Sequence, residues 1–347
     1  MSSLTAHLKG GKQVLKELPV IEQLSPLVWR LLGGNPGSYT LNGTNTYLLG
    51  IGPARILFDT GAGTESYSDT LVEGMRQAGC QSLSQIIISH WHHDHLGGVA
   101  QVMSLDVGSK SVIPVRKYMP DKDPQNFGQG ESAINPFVLW PKEKFEPIKD
   151  GELIVDAGVH LKMLFTPGHA NDHVVAILQE ENSMFTGDNV LGVGTAVFND
   201  LHLYLQSLRL MHSQAPKRLY PGHGPVVENG CSMLLAYIDH RLKRVVGAVE
   251  KLAEDPSEAS GKWTLETLTR AIYVDLSEHL IPPAMSNTLQ VLESLRKDNI
   301  VAAVGNSDES MSKRDDEWQL LISREKALRK INNNNIMHID NESTAKM

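Results

Sequence analysis

The segment Ile86-Ile87-Ile88-Ser89-His90-Trp91-His92-His93-Asp94-His95 holds four potential metal ligands at His-x-His-x-Asp-His spacing. The β-branched run before them predicts a buried strand. Alternate side chains of an extended chain share a face, so His90 and His92 point the same way and can grip one ion. Asp94 and His95, in the turn that follows, can reach a second ion nearby. Three later segments complete the set. Phe165-Thr166-Pro167-Gly168-His169 places a histidine after a strand and a rigid turn, suited to be the first ion's third ligand. Met184-Phe185-Thr186-Gly187-Asp188 puts a carboxylate at a strand end, where it can bridge both ions. Leu219-Tyr220-Pro221-Gly222-His223-Gly224 supplies a last imidazole for the second. Imidazole nitrogen and carboxylate oxygen suit Zn2+ in sites that keep a position open for water; Mn2+ or Fe2+ can occupy the same donors, since metal choice in a cell also depends on availability. The remaining histidines, His7, His160, His202, His212, His240, His279 and His338, follow no ligand spacing and read as incidental.

The elements that must position these ligands follow from periodicity. Strand-like runs cover Leu27 to Leu32, Asn45 to Leu49, Arg55 to Phe58, Gln85 to Ser89 and Val159 to Phe165. Helical spacing covers Ser66 to Ala78, Leu201 to Ser213 and Cys231 to Leu252. Asn42-Gly43 predicts a two-residue hairpin turn, and Lys149-Asp150-Gly151 another turn. Residues 116–147, with several prolines and few apolar pairs, read as a long surface loop near the site's mouth. Glu254 to Lys262 reads as a polar linker. Beyond it, Thr264 offers an N-cap, a second helix runs from Pro282-Pro283 to about Asp298, and Ile300–Val304 with Glu317–Ile322 read as strands around a polar loop over 305–314. The expected organisation is an extension over 1–20, an α/β domain over 21–253, a small winged-helix-like domain over 262–323, and a disordered tail over 324–347 that includes four consecutive asparagines.

Bulk composition narrows the classes. Lys and Arg number 32 against 40 Asp and Glu, a net charge of −8 over 347 residues. That weighs against a protein that coats nucleic acid through bulk charge, although Lys217, Arg218, Arg241, Lys243 and Arg244 offer a local basic patch or a solvated helix face. Two distant cysteines, Cys80 and Cys231, exclude a disulfide framework and fit a reducing compartment. No apolar run approaches the roughly 18–20 residues needed to span a bilayer. The N-terminus lacks a secretory apolar core. Lys9, Lys12 and Lys16 precede its first acid, as in an import presequence, but no arginine joins them. An intracellular protein of the cytoplasm or the mitochondrial matrix is expected.

The motifs HxHxDH, TPGH, TGD and PGHG, in this order, resemble the metallo-β-lactamase superfamily, a four-layer αβ/βα sandwich with its site at one edge. Asn35-Pro36-Gly37, Gly43-Thr44-Asn45-Thr46-Tyr47-Leu48, Asp59-Thr60-Gly61, Ser89-His90-Trp91-His92, Gly168-His169 with Asp172-His173, and Tyr220-Pro221-Gly222-His223-Gly224-Pro225 are similar to the lactamase-β-like group. That group includes animal mitochondrial single-stranded-RNA endonucleases and fungal thioesterases that release polyketides from acyl carrier proteins. The likeness covers residues of about 19–303. It implies His90, His92 and His169 on the first ion, Asp94, His95 and His223 on the second, and Asp188 between them. Asp59 matches an acid that usually supports the ligands. His173 stands where a serine is common elsewhere in the superfamily; the resemblance implies either a catalytic group that donates a proton or hydrogen-bonds substrate, or a packed imidazole. Thr44 and Asn45 shape the floor of the site.

The implied chemistry is hydrolysis by a hydroxide shared between two Zn2+ ions and oriented by Asp94. The short stretch from Asp188 to His223 leaves no room for the inserted cassette of the superfamily's large nucleases. The absence of a secretion signal weighs against an antibiotic-degrading enzyme, and the C-terminal domain is unlike the helical cap of hydroxyacylglutathione hydrolases. An endoribonuclease on single-stranded RNA is the favoured expectation. A thioesterase on carrier-bound polyketides is the alternative, supported by the acidic charge and the Leu18-Pro19…Glu22…Leu24-Ser25-Pro26 stretch. An inactive scaffold is the third reading, and a homodimer remains an open expectation.

Overall fold

A computed structural model describes residues 15–105, 113–120, 140–254, 263–274, 276–304 and 316–331. The candidate presequence lysines Lys9 and Lys12, most of the 254–262 linker, the 305–314 loop and the asparagine run lie outside these residues.

Alternation along the strands builds two cores from one sheet. Strands β1 (Ile21–Gln23), β2 (Val28–Leu32), β3 (Asn45–Leu49), β4 (Ala54–Phe58), β5 (Ser82–Ile88), β6 (Val115–Tyr118) and β7 (Phe145–Ile148) form a seven-stranded sheet in chain order. In β3, β4 and β5, Leu48, Leu57, Ile86 and Ile88 face one way. They pack with Tyr67, Leu71 and Met75 of helix α1 (Glu65–Gln77) and with Leu96, Val99 and Val102 of α2 (His93–Leu96) and α3 (Val99–Ser104). Tyr47, Leu49, Ile56, Phe58 and Ile87 face the other way.

There they meet the second sheet, β8 (Leu153–Asp156), β9 (Val159–Phe165), β10 (Val174–Leu178), β11 (Ser183–Gly187) and β12 (Arg218–Pro221), in the order β12-β11-β10-β9-β8. Val159, Leu161, Met163, Val174, Ala176, Phe185 and Tyr220 close this inter-sheet core. The residues that alternation turns to the far side, Val175, Ile177, Met184 and Leu219, are buried too. Helices α4 (Leu201–Ser213) and α5 (Gly230–Leu252) add buried Leu208, Met211, Leu234 and Tyr237. Sheets back to back with helices outside are the expected αβ/βα layers.

Strand direction decides where the site can form. β4, β5 and β6 run parallel. β9 and β11 each pair antiparallel with β10, and β12 is parallel to β11, so β9, β11 and β12 share one direction. Two backbone bonds tie the sheets together at these strand ends: Val174 N–H to the Ser89 carbonyl at 2.9 Å and Asn45 N–H to the Gly222 carbonyl at 2.7 Å.

The chain divides into two compact units, one taking in the chain to Ala196 with Gln206–Tyr237, the other Val197–Leu205 with the chain from Ile238. In the second unit, α6 (Leu265–Ile272) begins with the expected cap, Thr264 Oγ1 accepting from Thr267 N–H at 3.2 Å. Helix α7 (Ile281–Lys297) and the antiparallel ribbon β13 (Val301–Val304) and β14 (Glu317–Leu320) follow. Leu268, Leu292, Leu295, Ile300 and Trp318 make its buried interior.

Three expectations are corrected. Residues 116–147 are not a loop throughout: β6 and β7 pair in parallel at the edge of the first sheet, Tyr118 opposite Ile148. Prolines disguised β7, and an edge strand tolerates them because one side needs no ladder bond. The Asn42-Gly43 turn does not join β2 and β3; a longer loop over 33–44 does, and Gly43 N–H bonds the Thr40 carbonyl at 2.8 Å. The tail is helical at its start, α8 (Arg324–Ile331) burying Ala327 and Ile331. Its polar composition hid a two-residue apolar contact that only tertiary packing supplies.

Ile87 is fully buried between the sheets, one residue from the strand end that carries the ligands. Ile87→Ala is expected to lower stability by about 2–5 kcal/mol through lost burial and a cavity, read as a lower midpoint in urea unfolding.

Candidate metal centre

Each predicted ligand leaves a strand at the edge where the two sheets are tied. His90 and His92 follow β5, His169 follows β9, Asp188 follows β11 and His223 follows β12. Asp94 and His95 lie in α2, whose last turn packs Leu96 into the first core. All seven converge in two groups, His90, His92, His169 and Asp188 in one and Asp94, His95 and His223 in the other; within each, the donor atoms lie within 4.8 Å of one another. Of the remaining histidines, none whose side chain is described joins either group; His160, for example, pairs with Glu180 at 2.6 Å, and the ring of His279 is not among those described. His7 and His338 lie outside the described residues.

In the first group, His92 Nδ1 is 2.8 Å from His90 Nε2 and 2.9 Å from His169 Nε2. Asp188 Oδ2 is 3.6 Å from His169 Nε2. In the second, His223 Nε2 is 3.3 Å from His95 Nε2 and 3.1 Å from Asp94 Oδ2. Asp188 Oδ1 lies 3.3 Å from both of these imidazole nitrogens, so this one carboxylate faces both groups.

The outer ring atoms decide which lone pairs point inward. Asp59, buried after β4, accepts Ser89 N–H on Oδ1 at 2.7 Å and the Ser89 hydroxyl on Oδ2 at 2.8 Å. With its proton spent there, Ser89 Oγ accepts from His90 Nδ1–H at 2.9 Å, leaving Nε2 bare. Asp59 Oδ2 also accepts His95 Nδ1–H at 2.8 Å, which turns that ring's Nε2 inward as well. Asp59 adopts φ 60°, a left-handed conformation that a short polar side chain tolerates. Two glycines let the ligands approach. A Cβ at Gly222 would lie 2.4 Å from Asp188 Oδ1, and one at Gly187, where φ is 46°, would lie 2.6 Å from His173 Nε2.

The charge states follow from this packing. Burial, helped by the other imidazoles, holds His90 well below the usual histidine range, and burial with His169 beside it pushes His92 down to about 3. Both are neutral donors. Burial also disfavours charge on His95 and His223, but carboxylates outweigh it. Asp94, Asp188 and Asp59 hold His95 well above its usual value, and Asp188 and Asp94 push His223 up to about 9. Burial opposes the charge of Asp94 and Asp188, yet His95 and His223 keep both carboxyls well below the normal range. The pocket is therefore built to hold positive charge.

The donor set fits metal ions. Ligands about 2.0–2.1 Å from a tetrahedral Zn2+ lie about 3.4 Å apart, close to the spacings found. Asp188 Oδ1 is buried with His95 Nε2 and His223 Nε2 each 3.3 Å away, a converging set of donors that a cation would satisfy.

His173 differs from a free proton donor. It is fully buried, its Nε2 accepts Asp188 N–H at 3.2 Å, and its Nδ1 lies 3.1 Å from Thr166 Oγ1. Burial keeps it neutral, well below the ordinary histidine value. Four of the cations offered as a local basic patch have partners of their own. Arg218 pairs with Glu228 at 2.7 Å and Lys243 with Asp239 at 2.7 Å. Arg241 is buried over Phe198, 4.7 Å from the ring centre, and Arg244 lies 4.2 Å over Tyr273. Sequence reasoning missed the supporting roles of Ser89 and Asn189, each adjacent to a ligand, and the buried ion pair of Lys117 with Asp172, whose carboxylate also receives Trp91 N–H.

Two back-to-back sheets whose aligned strand ends carry paired His/Asp clusters define a metallohydrolase fold. The family model for the metallo-beta-lactamase superfamily matches residues 39–223, and that for the beta-lactamase associated winged helix domain matches residues 264–310. The chain belongs to the metallo-β-lactamase superfamily and carries its associated winged-helix domain. It is similar to the lactamase-like protein vrtG of Penicillium aethiopicum, 38% identical over 299 residues, 85% of this chain and 89% of that one. A beta-lactamase-like protein 2 homolog of Caenorhabditis elegans is 37% identical over 287 residues, 83% and 90% of the two chains. The atrochrysone carboxyl ACP thioesterase nsrC of Aspergillus novofumigatus is 35% identical over 274 residues, 78% of each. Among solved structures, a beta-lactamase domain protein from Burkholderia ambifaria shares the fold with a TM-score of 0.68 at 18% identity, covering 88% of this chain and 95% of that one. A metallo-beta-lactamase family protein from Thermus thermophilus does so at 0.65 and 21%, covering 86% and 100%. No helix among the described residues is long and apolar enough to cross a membrane.

Asp59→Asn would set an amide N–H against His95 Nδ1–H and the Ser89 hydroxyl. Metal affinity is expected to fall about 10–100-fold in competition with a chelator; wild-type affinity would show that the carboxylate does not hold the ligands.

Proposed function

We propose that the chain is a two-metal hydrolase of an ester-like centre, and that its substrate is an acyl thioester. The observation that carries the hydrolase reading is the buried Asp188 carboxylate, whose Oδ1 lies 3.3 Å from His95 Nε2 and from His223 Nε2 while its Oδ2 lies 3.6 Å from His169 Nε2, so that one side chain serves both groups. His90, His92 and His169 would hold one ion, Asp94, His95 and His223 the other, with Asp188 shared. Zn2+ is the ion these donors suit. When bound, the pair supplies a lowered pKa for an attacking water and charge to polarise a carbonyl or phosphoryl oxygen.

The chain's own groups do the rest. Asp94 is the least buried carboxylate of the set, its side chain 25% exposed against 12% for Asp188. Its Oδ2 is engaged by Thr44, His95 and His223, so Oδ1 is the atom offered to orient the attacking water and take its proton. His173 serves by holding the Asp188 backbone through its Nε2 rather than by meeting substrate. Asn189 Nδ2 donates to the Thr166 carbonyl at 2.8 Å, bracing the same turn.

Two observations favour the thioester. One relative is named as a thioesterase. Several surface cations are paired with carboxylates: besides those already described, Arg270 pairs with Glu266 and Glu278, Lys297 with Asp200 and Arg324 with Glu250. The winged-helix domain keeps a second reading, cleavage of single-stranded RNA.

Purified Zn2+-loaded protein is expected to turn over acyl thioesters, with activity lost in Asp188→Ala and on chelation. Cleavage of unstructured RNA without thioester turnover would move the function to a nuclease. Silence towards both, with two ions bound, would leave a binding scaffold.

A further inference from the structure

The loop over 33–44 makes a polar chain that ends on a ligand. Asn35 Oδ1 accepts Thr44 N–H at 2.9 Å, and Asn35 Nδ2 donates to Thr44 Oγ1 at 3.0 Å. Thr44 Oγ1 lies 3.1 Å from Asp94 Oδ2. An amide can only donate through nitrogen, so the Thr44 hydroxyl accepts from Asn35 and its single proton goes to Asp94. Thr44 is fully buried, and its backbone bridges to His223, a ligand of the same group. The loop is braced from within and from outside: Thr40 Oγ1 donates to the Asn35 carbonyl at 2.6 Å and Thr64 Oγ1 to the Gly33 carbonyl at 2.8 Å. The hydroxyl therefore arrives at Asp94 from a fixed direction.

Asp94 has reason to need it. A carboxylate rotates broadly about its terminal torsion, and this one is partly exposed at the mouth of the site. We infer that Thr44, set by Asn35, is a positioning residue that turns Asp94 Oδ2 towards His95 and His223 and leaves Oδ1 on the substrate side. Without that bond the carboxylate could twist away from the two imidazoles towards solvent. Besides the shared Asp188, the second group consists of Asp94, His95 and His223. Misplacing its one private carboxylate therefore weakens it more than the first group, whose three imidazoles do not depend on Asp94. The inference rests on the metal-hydrolase reading of this site.

The test uses the full chain with Thr44→Val, which keeps the shape and removes the hydroxyl, and Thr44→Ser, which restores it. Zn2+ alone is titrated in competition with a chromophoric chelator, and kcat and KM are measured on whichever substrate the wild type turns over. In Thr44→Val the affinity of one ion is expected to fall about 10–100-fold with that of the other unchanged, and kcat to fall while KM holds; Thr44→Ser returns both. Asn35→Ser, which leaves the hydroxyl but frees its direction, should lose affinity for the same ion to a smaller degree, and it carries the test should Thr44→Val not fold. Unchanged affinity in Thr44→Val, equal weakening of both ions, no rescue by Thr44→Ser, or no loss in Asn35→Ser would overturn the inference alone. A wild-type chain that binds no pair of ions would sink the hydrolase reading with it.

Discussion

The centre depends on one carboxylate that is not itself a ligand. Asp59 binds His95 directly and His90 through the Ser89 hydroxyl, so the two ligand groups are built from a common anchor. Its other oxygen takes the Ser89 amide, at the point where β5 ends and the ligand loop begins. The spacing between the groups is thus set by protein bonds in a dry interior, where hydrogen bonds to a charged acceptor are strong and an unmade one is costly. Asp59 sits in a left-handed backbone conformation, a local cost that the three bonds it receives offset.

Around that anchor the two groups differ in character. The first presents three imidazoles with a carboxylate oxygen at its edge, and burial keeps His90 and His92 neutral. The second presents carboxylates that draw positive charge onto His95 and His223. Asp188 joins them, and its placement is specified twice, by the His173 ring behind its amide and by the bare Cα of Gly222 in front. A second buried charge pair, Lys117 with Asp172, lies beside the peptide of Trp91, between the first two ligands. Burying an ion pair rarely adds stability over apolar packing; here it sets a backbone direction next to the centre.

Much of this was legible in the residues. The period-2 alternation that separates Leu48 from Tyr47 and Leu57 from Phe58 appears directly in the two cores. The ligand motifs each sit where an apolar run ends, which is where the strands of both sheets stop. Thr264 caps its helix as its neighbours suggest. What was misread shares a cause. Strand β7 carries Pro147 and exposed residues because it lies at an edge. The helix after residue 323 looked polar because only Ala327 and Ile331 enter a core. Four of the charged residues around 217–244 have partners that spacing along the chain shows only in part, Glu228, Asp239, Phe198 and Tyr273, the last two from distant segments.

The sequence by itself determined which atoms could bind metal and on which strand ends they would stand, because ligand type and strand period are local properties. The tertiary structure alone decided which nitrogen of each imidazole faces inward, that His173 supports Asp188, and that Asn35 and Thr44 reach Asp94 from a loop some fifty residues earlier. Those outcomes depend on where the proton of a hydroxyl or a ring goes. That is settled by neighbours brought together when two sheets close on each other, and no spacing along the chain encodes it.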